Sequence, residues 1–252
     1  MSPLLISILC STMLGTSFLS GIFGMAGGLI LVGVLLALMP VPDAMMLHGI
    51  TQLASNCWRA VLWVTHVRWK AVAAYVSGCA IAVILWSFTR YVPSQPVALL
   101  LLGLTPFAIR LTPQSGKINA ESVPQGVACG AACMMLILLT GVAGPLIDTF
   151  FLSGKLDRKQ IVATKATCQV FGHAAKLLYF GALIDQTASV DPVVAVLAVI
   201  CSMIGTSLAA KVLKVMTDQQ FRAWANRIIT AICGYYVVHG TFLVLMAGTI
   251  AR

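Results

Sequence analysis

Between residues 45 and 65 the polar side chains His48, Thr51, Gln52, Ser55, Asn56 and Arg59 recur at three- and four-residue intervals among Met, Leu, Val and Trp. On a helix this spacing gathers them into one stripe. Residues 160–182 carry a second stripe of Lys165, Cys168, Gln169, His173 and Lys176. Arginine, lysine and protonated histidine supply positive charge, and glutamine and asparagine amides can orient an oxyanion. Gln and Asn also serve as hydrogen-bonding glue between helices. Glue needs no net positive charge, whereas a path for anions does. The chemistry on offer is binding rather than bond breaking, because HExxH, GxSxG and GxxxxGK[ST] are all absent. The chain is therefore not expected to be an enzyme, and no catalytic residue, cofactor or metal is assigned.

A second feature is written twice. Gly24-Met25-Ala26-Gly27-Gly28-Leu29-Ile30 returns 117 positions later as Gly141-Val142-Ala143-Gly144-Pro145-Leu146-Ile147. The same offset pairs Leu35 with Leu152, Gln52 with Gln169, Asn56 with His173 and Arg59 with Lys176. Each copy breaks a long apolar run with glycine. Where a helix restarts after such a break, its first backbone N–H groups are unpaired and carry partial positive charge, which suits an anion. Gly27-Gly28 and Gly144-Pro145 are the expected openings of two half-helices, with Pro145 suited to a first turn. The two openings are expected to face each other across a shared site. Close helix packing through small residues is the competing use of such glycines.

The elements that hold these residues belong in a bilayer. The chain is 60% hydrophobic and 9% charged, too little charge to cover a soluble protein of 252 residues. Period-two alternation is missing, so the expectation is an all-α polytopic membrane protein rather than a barrel. Met1-Ser2-Pro3-Leu4 lacks the basic region of a signal peptide, so the first apolar run is expected to be retained. The formal charge of +9 raises nucleic acid as a partner, but loop lysines on one membrane face explain it better.

Hydropathy marks ten apolar segments, near 3–22, 28–40, 45–65, 70–89, 97–110, 122–140, 145–153, 160–182, 192–210 and 225–248. Turns are expected at Pro40–Asp43, Pro93–Pro96, Thr112–Gly116 and Asp191–Pro192. Segments 28–40 and 145–153 rise only about 20 and 14 Å as helix, against a hydrocarbon core of ~30 Å. Each is expected to be the returning arm of a glycine-broken helical hairpin. Arg68, Lys70, Arg110, Lys117, Lys155, Arg158, Lys159, Lys211, Lys214 and Arg222 fall on one face, and only Arg90 and Arg252 on the other. The first face is then cytoplasmic and both termini lie outside. The halves would be inverted repeats: a first membrane repeat at 1–111, a cytoplasmic linker at 112–121 and a second repeat at 122–252.

Asp148 alone among the acids sits in an apolar run, where it would relay protons or pair with a basic residue of the stripe. Lys165, near the start of its segment, is also placed to snorkel to the surface. The eight cysteines all lie in apolar segments with no CxxC pair, as buried thiols do. The duplicated glycine motif, followed in each half by a polar-striped helix, resembles the TauE/SafE family of sulfite exporters over nearly the whole chain. That resemblance implies an inner-membrane permease of two related halves that moves sulfite, sulfonates or related sulfur anions. Pro145 and Asp148 depart from the more glycine-rich, apolar second motif of that family. The expected substrate-binding residues are Gly27, Gly28, Gln52, Asn56, Arg59, Gly144, Gln169, His173 and Lys176, with Asp148 the candidate for proton coupling. The expected partners are a small anion, the lipid bilayer and, in some assemblies, a second copy in a homodimer. An anion channel or a permease for another small organic anion is the alternative.

Overall fold

The structure is a computed structural model, described for residues 2–23, 26–111, 119–152, 156–184, 189–215 and 218–250. Gly24 and Met25 of the first glycine break lie outside these residues, as do Lys117, Lys155, Asp185, Arg252 and residues 112–118 of the linker and its turn. The described residues form ten α-helices and no strand: α1 (Pro3–Phe23), α2 (Ala26–Leu38), α3 (Val41–Leu62), α4 (Trp69–Ser87), α5 (Gln95–Leu111), α6 (Val123–Thr140), α7 (Gly144–Leu152), α8 (Arg158–Leu178), α9 (Pro192–Val215) and α10 (Asp218–Ile250). A 3₁₀ turn at Val64–His66 follows α3, and a π-helical turn at Tyr179–Leu183 extends α8.

Local chemistry sets the ends. The segment Pro40–Asp43 is the first turn of α3 rather than a free turn, since a proline lacking an N–H costs nothing where that N–H would be unpaired. Gln95 and Pro96 open α5 for the same reason, and Pro192 opens α9 behind Asp191, whose Oδ1 accepts from the Val193 N–H at 2.8 Å. α8 starts at a capping box in which Asp157 and Gln160 satisfy each other's backbone N–H groups. α6 stops at Gly141, whose φ of 86° lies in the left-handed region and whose N–H bonds back to Ile137 at 2.9 Å. α10 begins well before the apolar run near 225 and, at 33 residues, is about 50 Å long.

Five helices, α1, α4, α6, α9 and α10, are long and apolar enough to cross a membrane. α1 and α9 pack against α3, and α4 and α6 against α8, while α3 and α8 pack on each other and α10 lies against α5 and α2. Outward faces of the five helices carry exposed apolar stripes, such as Val193, Val196, Ile200, Ile204 and Leu208 on α9 and Val238, Phe242 and Leu245 on α10. These suit lipid, and the polar stripes turn inward.

The main contacts come in exchangeable pairs. α1 packs on α9 and α4 on α6, while α3–α8 and α5–α10 are joined across the halves. Several crossings bring backbones together through glycine, α5 on α10 at Gly103 among them. A Cβ at Gly130 or Gly78 would strike the facing backbone of α4 or α6, and one at Gly205 would strike α1. At one end of the bundle Arg68 links three elements. Its N–H donates to Thr164 Oγ1 of α8 at 3.0 Å, and its guanidinium pairs with Glu121 just before α6. That hydrogen bond, then its charge, holds the exposed Glu121 carboxyl below its ordinary value.

Candidate functional site

α3 carries its whole stripe inward: His48, Thr51, Gln52, Ser55, Asn56 and Arg59 are all buried. Two of them are taken up by packing. Thr51 donates to Leu47 of its own helix at 2.8 Å, and Ser55 shares a 2.7 Å bond with Thr206 of α9. The others build two adjoining clusters.

The first cluster joins α3 to α8. His48 Nε2 lies 3.1 Å from the Gly28 carbonyl oxygen, which can only accept, so Nε2 carries the hydrogen and Nδ1 keeps its lone pair. Lys176 Nζ stands 2.7 Å from that Nδ1 and donates also to the Gly141 carbonyl at 3.3 Å. Lys176 is 0% exposed. His173, on the preceding turn of α8, meets the His48 ring edge-on at 5.6 Å between centroids. Its Nδ1 is buried with no hydrogen-bond partner. Gly28 belongs to the first glycine break and Gly141 to the second, so one chain of polar contacts spans both.

The second cluster lies one turn along α3. Asn56 Nδ2 donates to the Gln52 carbonyl at 2.8 Å, and Arg59 Nη2 donates to the Ser20 carbonyl in the last turn of α1 at 3.1 Å. Gln52 Nε2, Asn56 Oδ1 and Arg59 Nε are buried without a partner. Each such group costs on the order of 1–3 kcal/mol unless something binds it. Gly28 borders this cluster too: a Cβ there would meet the Gln52 amide at 3.6 Å. The two cations at equivalent positions, Arg59 and Lys176, thus both hold a backbone carbonyl at the end of the helix before a glycine break.

Other candidate residues are placed differently. The open side of Gly27 is taken by α1, since a Cβ there would strike the Thr16 carbonyl and Ser20. Gln169 is only half-buried, unlike Gln52. Gly144 is buried as the first residue of α7. Asp148 pairs with Lys165, a residue of the second stripe, with both side chains 14% exposed. Three contributors carried little sequence signal. Tyr236 of α10 reaches over Gly33 to donate to the Leu29 carbonyl at 2.8 Å. The Ser20 and Gly141 carbonyls act through backbone, although Thr16 and Ser20 share the one-turn spacing that marks the α3 stripe.

Among the described residues no cluster of His, Cys, Asp or Glu could hold a metal ion. The arrangement offers cations and amides to a small anion. The family model for the sulfite exporter TauE/SafE matches residues 9–236. The chain belongs to the TauE/SafE sulfite exporter family. Membership implies a multi-pass membrane transporter of sulfite-type anions, a transporter family rather than an enzyme family. Neither the curated proteins nor the solved structures yield a match to this chain.

Proposed function

We propose that this member of the TauE/SafE family is a secondary transporter that carries sulfite or a short organosulfonate by alternating access around the contact of α2, α3 and α8. One observation carries this reading: Arg59 and Lys176 are buried basic side chains that form no ion pair with a carboxylate among the described residues, Asp148 acting on Arg59 only through its charge, and unpartnered donors on Gln52 and Arg59 lie beside them. A compact oxyanion would accept from those donors and balance the charge. Gln52 and Asn56 then orient the anion, Arg59, Lys176 and His173 set the potential, and Gln169 contributes from the half-buried side. Backbone N–H groups at the start of α2, near Gly27 and Gly28, and of α7 at Gly144 add their partial positive charge.

We read residues 1–111 and 122–252 as inverted repeats joined by a cytoplasmic linker, with α1–α2 and α6–α7 as glycine-broken hairpins and both termini outside. The paired contacts support it. Exchanging each helix for its counterpart five elements on turns α1–α9 into α6–α4 and leaves α3–α8 and α5–α10 unchanged. The lysine and arginine asymmetry supports opposite orientations.

The test is flux of radiolabelled sulfite, sulfate, taurine and sulfoacetate in proteoliposomes. Saturable flux of sulfite or a sulfonate is expected. A channel-like conductance in a planar bilayer would overturn the carrier mechanism.

A further inference from the structure

Resting on the anion-carrier reading above, we infer that the Lys176–His48 pair is the proton-carrying site of this transporter, charged while the anion is bound and neutral when it is not, so that anion and proton cross together.

The hydrogen-bond directions are set by the Gly28 carbonyl. It holds the His48 proton on Nε2, which leaves Nδ1 as an acceptor facing Lys176 Nζ at 2.7 Å. A lysine amine donates to that nitrogen whether it is an ammonium or a neutral amine. The pair therefore has two states that differ by one proton and keep the same bond. A second proton, on His48 Nδ1, would set an N–H against the ammonium and leave no acceptor between them. In the step itself, water on the loading side gives a proton to Lys176 Nζ and water on the other side takes it back. Only N–H and O–H bonds form and break.

Burial makes the charged state depend on the anion. An ion with no counter-ion costs several kcal/mol in the interior. Among the described residues no carboxylate pairs with Lys176 or His48. Of the charged and titratable groups on the packed elements, His173 comes from α8, and on α3 Arg59 is itself basic while Asp43, in the first turn, accepts from the Ser189 N–H at 2.8 Å. α2 has no titratable side chain. Asp148 of α7 is paired with Lys165 and also acts through its charge on Arg59. From α4, Tyr75 approaches α8 beside Gly172, and in the π-turn Tyr179 donates to the Tyr91 carbonyl. α1 and α6 bring only thiols, and α9 brings Cys201, the exposed Lys211 and, three positions on, Lys214. With no carboxylate paired to Lys176, the substrate is the counter-ion this inference assigns to it.

Position supports this. Gly28 gives its carbonyl to His48 and turns its Cα toward the Gln52 amide, so an anion at Gln52 lies beside the pair. An ammonium has three donors. Two go to His48 and Gly141, and the third is left for the anion. Because Gly28 and Gly141 belong to the two glycine breaks, the proton state is tied to the contact between the halves. Asp148, the only acid in an apolar run, is already held as an ion pair.

The experiment uses the full chain in proteoliposomes at a pH where dissolved sulfur dioxide is negligible, with protein-free vesicles as the baseline. Two readouts are taken: exchange of labelled for unlabelled sulfite, and accumulation of labelled sulfite driven by a pH gradient alone. The parent should show both, with accumulation abolished by a protonophore. Lys176→Arg, which keeps the charge and cannot release its proton, should lose pH-driven accumulation far more than exchange, read as the ratio of the two in one preparation. Exchange without pH-driven accumulation in the parent overturns proton coupling and leaves the anion carrier standing. Absence of exchange in the parent overturns both. An unchanged ratio in Lys176→Arg takes the proton away from this pair.

A second measurement does not depend on how that variant folds. Calorimetric titration of the parent with sulfite, in buffers of different ionisation heat, should show proton uptake on binding. Sulfite itself takes up protons near neutrality, so the same titration with methanesulfonate, a fully ionised anion, isolates the protein's share. Sulfite uptake no larger than the anion's own, with none for bound methanesulfonate, would overturn the proposal.

Discussion

At the residue scale the site depends on which polar atoms are already satisfied. Ser55 is bonded to Thr206, so Ser55→Ala should lower thermal stability by about 1 kcal/mol and leave flux unchanged. Gly28 and Gly27 should part company in the same way. A methyl at Gly28 stands in ordinary contact with the Gln52 amide, so Gly28→Ala should fold and weaken sulfite binding, read by calorimetry in detergent. A methyl at Gly27 strikes the α1 backbone, so Gly27→Ala should fail to accumulate as folded protein. Glycine spacing alone does not tell these two roles apart, because helix packing and ligand approach both call for a missing Cβ. The α3 stripe, by contrast, was readable from spacing, since polar groups in an apolar helix turn inward at a period set by the helix itself. The His48–Lys176 bond was not. Its partners lie 128 positions apart on two helices, and the offset that aligns the repeats pairs neither with the other.

At the element scale, membrane helices settle against one another through small residues, and the glycines sort by what faces them. Gly130 presses on the carbonyl of Tyr75, so Gly130→Val should block the α4–α6 crossing and shift the detergent-solubilised protein to aggregate in size-exclusion chromatography. At Gly15 of α1 and Gly234 of α10 an added methyl would meet nothing within 4 Å, so Ala at either should be neutral or raise stability by up to about 1 kcal/mol. Ten segments and their order could be read from hydropathy. Their starts were less clear, because prolines that look like turn signals at Pro42, Pro96 and Pro192 are first-turn residues. The early start of α10 at Asp218 has no apolar signal, as a helix end beyond the lipid needs none.

At the scale of the whole molecule, the first helix of each half packs on the fourth helix of the other, so neither half buries its own face. Fragments 1–111 and 112–252 expressed separately should each be degraded, and co-expressed they should purify together. Stable separate fragments would contradict the interlocked packing. The duplication was visible because the glycine motif recurs without a gap, but that the halves interlock is a property of tertiary packing, which a one-dimensional offset does not contain. The proposed orientation rests on the lysine and arginine asymmetry. A cysteine placed at Ser115, in a background lacking the native cysteines, should be protected from an impermeant thiol reagent in intact cells and labelled after permeabilisation.

The central claim is that the buried amide and guanidinium groups on α3 hold a sulfite-type anion. The most direct measurement is saturable flux of labelled sulfite through Gln52→Leu in proteoliposomes, alongside its thermal melt in detergent. Leucine fills a similar volume and removes the unpartnered buried Nε2 of Gln52, so the fold should hold. Flux at least tenfold below the parent, with the melting temperature unchanged or raised, is the expected result. Undiminished flux at equal protein density would contradict it and leave Gln52 as a structural residue, with the anion bound elsewhere.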